Sequence, residues 1–148
     1  MPEVIGIDHI YVTVSDLARA EAFYDKALVG ALGFRKNTPT VGSDPHVQYY
    51  CRHFGYVIRP ARTPTPHDPY APGLHHFCLR VESIDDVAAA AVALRAAGID
   101  ATEPKRHSEY ADDYWATFFT DPDGIRLEVT NYRQARRDRH DNWDTLPE

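Results

Sequence analysis

Two stretches of this 148-residue chain repeat each other. Residues 6–17 read GIDHIYVTVSDL and residues 73–84 read GLHHFCLRVESI; at an offset of 67, Gly6 falls on Gly73, His9 on His76 and Val14 on Val81. A repeat of this kind means that one supersecondary unit is used twice. After each copy the apolar residues take helical spacing: Leu17, Ala20, Phe23/Tyr24 and Ala27/Leu28 in the first, Val87, Ala90/Ala91 and Leu94 in the second. Ser83, followed by Asp86, marks a capped helix start, and Gly33 and Gly98 sit where the helices must stop. The ends of the halves, FGYVIRP (54–60) and DGIRLEV (123–129), align at an offset of 69, which sets Gly55 on Gly124 and Arg59 on Glu128. Asp121-Pro122-Asp123-Gly124 has the residues of a type I turn. Each half therefore reads strand, helix, short strand, hairpin. Residues 60–73 carry five prolines and form an extended linker. The expectation is a single α+β domain of two βαβββ modules, 4–60 and 73–131, forming one curved mixed sheet with the helices outside. Residues 132–148 form a tail, read as a solvated helix or a strap on a partner subunit.

Side chains alternate across a strand. Ile10, Val12 and Val14 share one face of the first strand, and Phe77, Leu79 and Val81 share the matching face of its repeat. His9 and His76 lie on the opposite faces. Along the last strand Ile125, Leu127 and Val129 form the apolar row, which puts Glu128 on the other side. A lone histidine on a sheet is an ordinary hydrogen-bonded residue. Two histidines at equivalent positions, with a carboxylate facing the same way, instead make a candidate set for a divalent first-row metal with open positions. The spacing leaves both readings open.

Composition narrows the classes. Sixteen Lys and Arg against twenty-two Asp and Glu give a net charge of −6, which argues against nucleic acid as a partner. The mean hydropathy is −0.48 and no apolar run approaches a membrane span. The N-terminus lacks the basic-then-apolar pattern of a secretory signal, and Cys51 and Cys78 make no disulfide framework, so the expected location is cytoplasmic. Cys78 reads as a small buried hydrophobe and His67 as exposed.

GIDHIYVTVSDLARAEAFYDKAL…LGF, GLHHFCLRV and FFTDPDGIRLEV resemble the vicinal oxygen chelate superfamily. That group includes glyoxalase I, extradiol ring-cleaving dioxygenases, methylmalonyl-CoA epimerase, fosfomycin-resistance thiol transferases and bleomycin-binding proteins. The resemblance spans residues 4 to about 131. It implies that His9, His76 and Glu128 are metal ligands. It also implies a homodimer whose sites are built from halves of two chains or within one chain. Relatives with a fourth ligand carry Glu or Gln at the end of the first half; the repeat sets Arg59 there, and a guanidinium cannot ligate a metal.

The functional expectation is a metal-dependent enzyme holding one divalent ion (Fe, Mn, Ni or Zn) that chelates a small oxygenated substrate, a dioxygenase before a lyase or thiol transferase. The alternative is a metal-free protein that binds an antibiotic-like small molecule. Arg59 is the candidate for an anionic group of the substrate. Tyr11, Thr117 and Tyr110 are the candidate acids or bases, Thr117 because counting back from the turn sets it opposite Glu128. His107 and Tyr110 lie in a loop, 104–114, read as a mobile lid.

Overall fold

The computed structural model describes residues 1–147. Strand β1 (His9–Val14) leads into helix α1 (Leu17–Tyr24), which continues as a π-helical segment over Asp25–Ala31. Asp16 caps α1 by accepting from the Arg19 N–H at 3.0 Å, a start the sequence reading had not marked. There follow β2 (Arg35–Asn37), a small hairpin of β3 (Thr40–Val41) and β4 (Asp44–Pro45), then β5 (Val47–Tyr50) and β6 (Gly55–Pro60). The second module runs β7 (His76–Val81), α2 (Ile84–Ala96), β8 (Lys105–Arg106), β9 (Trp115–Thr120) and β10 (Arg126–Asn131). Helix α3 (Gln134–Asp141) and a 3-10 turn (Trp143–Thr145) close the chain. No helix among the described residues is long and apolar enough to cross a membrane.

The termini of α2 form as the sequence predicts. Ser83 and Asp86 make a reciprocal capping box. At the other end Gly98, at φ +84°, lets its own N–H reach the Arg95 carbonyl and the Ile99 N–H reach the Leu94 carbonyl. That pair of bonds is a Schellman motif, which only a residue tolerant of positive φ closes without strain.

The fold is α+β in two modules, as the repeat implies. Each module forms its own four-stranded mixed sheet, in the orders β1-β6-β5-β2 and β7-β10-β9-β8. The first strand of each module runs parallel to the last and stands at the sheet edge. Within one copy the two sheets do not join, so the single curved sheet expected above is not completed by one chain.

What joins the modules is the helix side. Val12, Val14, Tyr24, Leu28, Leu94, Phe119, Leu127 and Val129 belong to one buried cluster drawn from both halves. Phe23 of α1 lies 6.3 Å from Phe119 of β9, and Tyr56 of β6 lies 5.1 Å from Phe77 of β7. A buried polar chain crosses the same boundary. The Tyr24 hydroxyl donates to Asp121 Oδ2 at 2.8 Å, which leaves the Tyr56 hydroxyl to donate to Tyr24 at 2.8 Å. Asp121 also accepts from the backbone N–H groups of Asp123 and Ile125, both at 2.9 Å.

Residues 61–75 contain no regular element. His67 in this linker is half-buried, not exposed, and its Nε2 has no hydrogen-bond partner among the described residues. The tail lies along its own second module. The Tyr132 N–H reaches the Val81 carbonyl at 2.8 Å, Asp113 accepts from the Gln134 N–H at 2.8 Å, and Arg137 pairs with Glu82 at 2.6 Å.

Burial raises the Asp121 carboxyl above its ordinary value. The folded state therefore holds this proton more tightly than the unfolded chain. The stability from that source is complete below the ordinary carboxylate pKa and is lost as pH rises through the elevated folded value. Measured against Asp121→Asn, the native protein should gain stability as pH falls through this range in thermal melts. Asp121→Ala, which strands a buried hydroxyl and a buried N–H, should cost about 2–4 kcal/mol by chemical denaturation.

Candidate functional site

The residues not used by the core lie on the other face of each sheet. In the second module His76 and Cys78 on β7, Glu128 on β10 and Phe118 on β9 share that face, with Glu128 opposite both Cys78 and Phe118 in the register. The His76 Nε2 lies 3.4 Å from Glu128 Oε2, and the Glu128 side chain is 4% exposed. The Tyr114 hydroxyl donates to the other carboxylate oxygen. No Lys or Arg forms a salt bridge to Glu128 among the described residues, so this buried carboxylate faces the His76 imidazole, the Tyr114 phenol and the Cys78 thiol.

His76, Tyr114, Phe118 and Glu128 line a cavity of about 640 Å³ together with Tyr110, Arg126, Arg133 and Arg136. Burial, and then the hydrogen bond to Glu128, raise the Tyr114 phenol above its ordinary value. Cys78, expected buried, is exposed on this face. Partial desolvation against the sheet, followed by the Glu128 charge, pushes its thiol up to about 12, so it stands as a neutral group and not as a thiolate.

His9 occupies the matching place on the first sheet, on a face lined with Tyr11, Gln48, Tyr50 and Val57. Its Nδ1 is held at 2.6 Å by the Asp8 carboxylate, and Tyr11 meets it edge to face at 5.5 Å. Within one chain His9 does not join His76 and Glu128: among the described residues no three His, Cys, Asp or Glu side chains gather as a metal site would require. The reason is topological. The modules pack through their helix sides, which turns both chemical faces outward.

Two sequence expectations change. Thr117 is not opposite Glu128. The hairpin turn is one residue longer than a four-residue type I turn, because Gly124 at φ +85° adds a left-handed residue and Asp121 closes against Ile125. The register moves by one, which sends a side chain to the other face. Thr117 therefore pairs with Val129 and is fully buried, its hydroxyl bonded to the Thr102 carbonyl at 2.7 Å. The same bulge explains why Tyr114 was missed: with the corrected register it shares the parity of Phe118 and reaches the Glu128 face.

Arg59 is not the counterpart of Glu128. Tyr11 pairs with Val57 in the first module where Cys78 pairs with Glu128 in the second, so Val57 occupies the equivalent place. Neither valine nor arginine supplies a fourth metal ligand. The Arg59 guanidinium is also engaged, paired with the Asp44 carboxylate that Arg62 contacts at 3.0 Å. The Arg62 hydrogen bond, with the Arg59 charge, holds the Asp44 carboxyl below its usual range.

Loop 104–114 is held at its C-terminal end by Asn131. Asn131 donates to the Asp113 carbonyl and accepts from the Trp115 N–H, and the His107 N–H meets the Tyr114 carbonyl at 2.7 Å. Tyr110 is exposed and stacks on His107 with ring centroids 6.0 Å apart.

The Glu128 charge is one source of the raised Tyr114 pKa, so its removal should lower that value. Glu128→Gln should move the ionisation of one phenol to lower pH in the absorbance titration, and Tyr114→Phe in the same background should abolish that change.

Residues 6–129 match the family described as the Glyoxalase/Bleomycin resistance protein/Dioxygenase superfamily. Over 128 residues the chain is 31% identical to Uncharacterized protein YaeR of Escherichia coli (strain K12), an overlap of 83% of this chain and 93% of that one. It resembles the solved glyoxylase/bleomycin resistance protein/dioxygenase domain from Frankia sp. EAN1pec with a TM-score of 0.70 at 23% identity, covering 88% of this chain and all, 100%, of that one. The genomically encoded fosfomycin resistance protein FosX from Listeria monocytogenes superposes with a TM-score of 0.63 at 15% identity, over 91% of this chain and 99% of that one. At these identities the two structures speak for a shared fold.

Proposed function

Because the chain belongs to the glyoxalase/bleomycin resistance protein/dioxygenase superfamily, we propose that it is a homodimeric enzyme using one divalent metal per site, with His9 from one copy and His76 and Glu128 from the other as ligands. The observation that carries the reading is the His76–Glu128 pair. Two metal–ligand bonds of about 2.1 Å, opened between a right angle and a tetrahedral angle, separate their donor atoms by about 3.0–3.4 Å. The Nε2 to Oε2 distance of 3.4 Å fits that range. The Nδ1 atoms are engaged elsewhere, His76 Nδ1 with His75 Nδ1 at 2.7 Å and His9 Nδ1 with Asp8, so each ring has its Nε2 left for a ligand role. Tyr114 fixes the carboxylate, as a supporting group around a metal ligand should.

A second copy is called for by what one copy leaves open. Strands β1 and β7 are both unpaired edges, and exposed Ile5, Ile7 and Tyr11 make the outer face of the first module apolar. Facing a first sheet against the second sheet of another copy covers both and brings the three ligands to one place.

Bound there, the metal supplies a Lewis acid with positions open to adjacent oxygens of a small substrate. Ring-cleaving dioxygenation is the favoured reaction: His9, His76 and Glu128 would hold the ion and leave it able to activate a catechol-like substrate toward dioxygen. This chain's own part is to hold and shield. Tyr110, Tyr114 and Phe118 wall the cavity against water, and the exposed Tyr110 hydroxyl is the group assigned to carry a proton at the mouth, with Tyr11 entering beside His9 from the other copy.

Metal analysis of the purified dimer supplied with Fe(II), Mn(II), Ni(II) and Zn(II) should find one ion per chain, and none in His9→Ala or Glu128→Ala. Mixing equal amounts of those two variants under conditions that exchange subunits should restore one intact site in each mixed dimer, and with it about a quarter of the wild-type metal content and activity of the whole mixture. If wild type takes up no metal, the protein is a binder of small molecules and not this enzyme. If wild type loads but the mixture stays empty, the ligands are not shared between copies. For the reaction itself, Fe(II)-loaded enzyme should consume oxygen with catechols.

A further inference from the structure

The cavity around His76 and Glu128 holds more positive charge than its own carboxylates use. Glu109 of the lining is paired with His107 at 3.2 Å, and among the described residues Glu128 has no arginine partner. Arg126, Arg133 and Arg136 line the same cavity, and none of the three pairs with a carboxylate among the described residues. Their neighbour Arg137 behaves differently: its guanidinium is committed to Glu82 at 2.6 Å and lies over the Tyr132 ring.

Arg133 carries the strongest sign of a missing partner. Its Nε is buried and has no hydrogen-bond acceptor, and its guanidinium lies 4.6 Å over the Tyr114 ring. A buried donor left without an acceptor costs free energy, and it marks Arg133 as a side chain whose polar groups the chain itself does not fully satisfy. Arg133 precedes α3 and Arg136 follows three residues later, on the same side of the chain. The Arg139 charge, desolvation and then the Arg133 charge depress the Arg136 pKa, as expected where like charges crowd without compensation.

We propose that Arg133 and Arg136 form an anion-binding subsite beside His76 and Glu128, so that the ligand of this cavity is a small molecule bearing a phosphonate or carboxylate on an apolar or planar body. The guanidinium fork suits such groups, and Tyr110, Tyr114 and Phe118 supply the surface for the body. This takes the role first expected of Arg59, whose guanidinium is already spent on Asp44. The assignment to substrate rests on the metal reading above; the subsite itself does not need the metal.

Phenylphosphonate is the probe, with its neutral dimethyl ester and inorganic phosphate as comparisons, in isothermal titration calorimetry on the full chain, metal-stripped and metal-supplied. Phenylphosphonate should bind in both states, more weakly at high salt. Phosphate should bind less tightly and the ester at least tenfold less tightly. Arg136→Met and Arg133→Met should each weaken phenylphosphonate about tenfold or more, Arg133→Lys should recover part of the loss, and Arg137→Met should change little. Thermal melts matching wild type keep the comparison free of folding defects, and should Arg133→Met fail them, Arg136→Met and Arg133→Lys decide. Failure of phenylphosphonate to bind, or equal binding in Arg136→Met and Arg133→Lys, overturns the subsite even where metal loads normally. Arginine-dependent binding in a protein that takes up no metal upholds the subsite and overturns the metal reading alone.

Discussion

The first strand of each module divides its residues between two faces, and that division sets the rest. One face is apolar and closes on the helices; the other keeps imidazoles, a phenol and a thiol. Period-two alternation permits no compromise, because a side chain that leaves one face must arrive on the other. Val12 and Val14 point into the shared core while His9, Tyr11 and Thr13 between and before them are exposed. The core is thus assembled without His9, His76 or Cys78, and these groups are left on the open faces.

The modules join through their apolar sides, with the Tyr56–Tyr24–Asp121 chain as the polar element that fixes their register. A hydrogen-bonded chain in so dry a place penalises misalignment more than apolar packing does, since a shift leaves donors without acceptors. The consequence is functional. With helix sides consumed inside the chain, the sheet faces stay open and β1 and β7 stand at free sheet edges.

Much of this was readable without coordinates. The repeat at His9 and His76 gave two modules, the helical spacing gave α1 and α2, and Ser83 and Gly98 gave the ends of α2. The facing of His76 and Glu128 followed from alternation alone. What failed did so at single residues of register. Gly124 inserts one left-handed residue, which carries Thr117 into the core and brings Tyr114 to Glu128. A gap of two residues between the offsets of the two modules put Arg59 where Val57 stands. Arg133 and Arg136 looked like part of a solvated tail, since nothing in a run of mixed charges says which arginine will find a carboxylate.

The amino-acid order by itself determined which residues share a face, because alternation and helical spacing are local rules that act between near neighbours. Only the tertiary structure decided which faces meet. That choice depends on bulges, on the pairing of distant charges such as Arg59 with Asp44, and on the packing of one module against the other. Each of these is an interaction between residues far apart in the chain, and no local pattern encodes it.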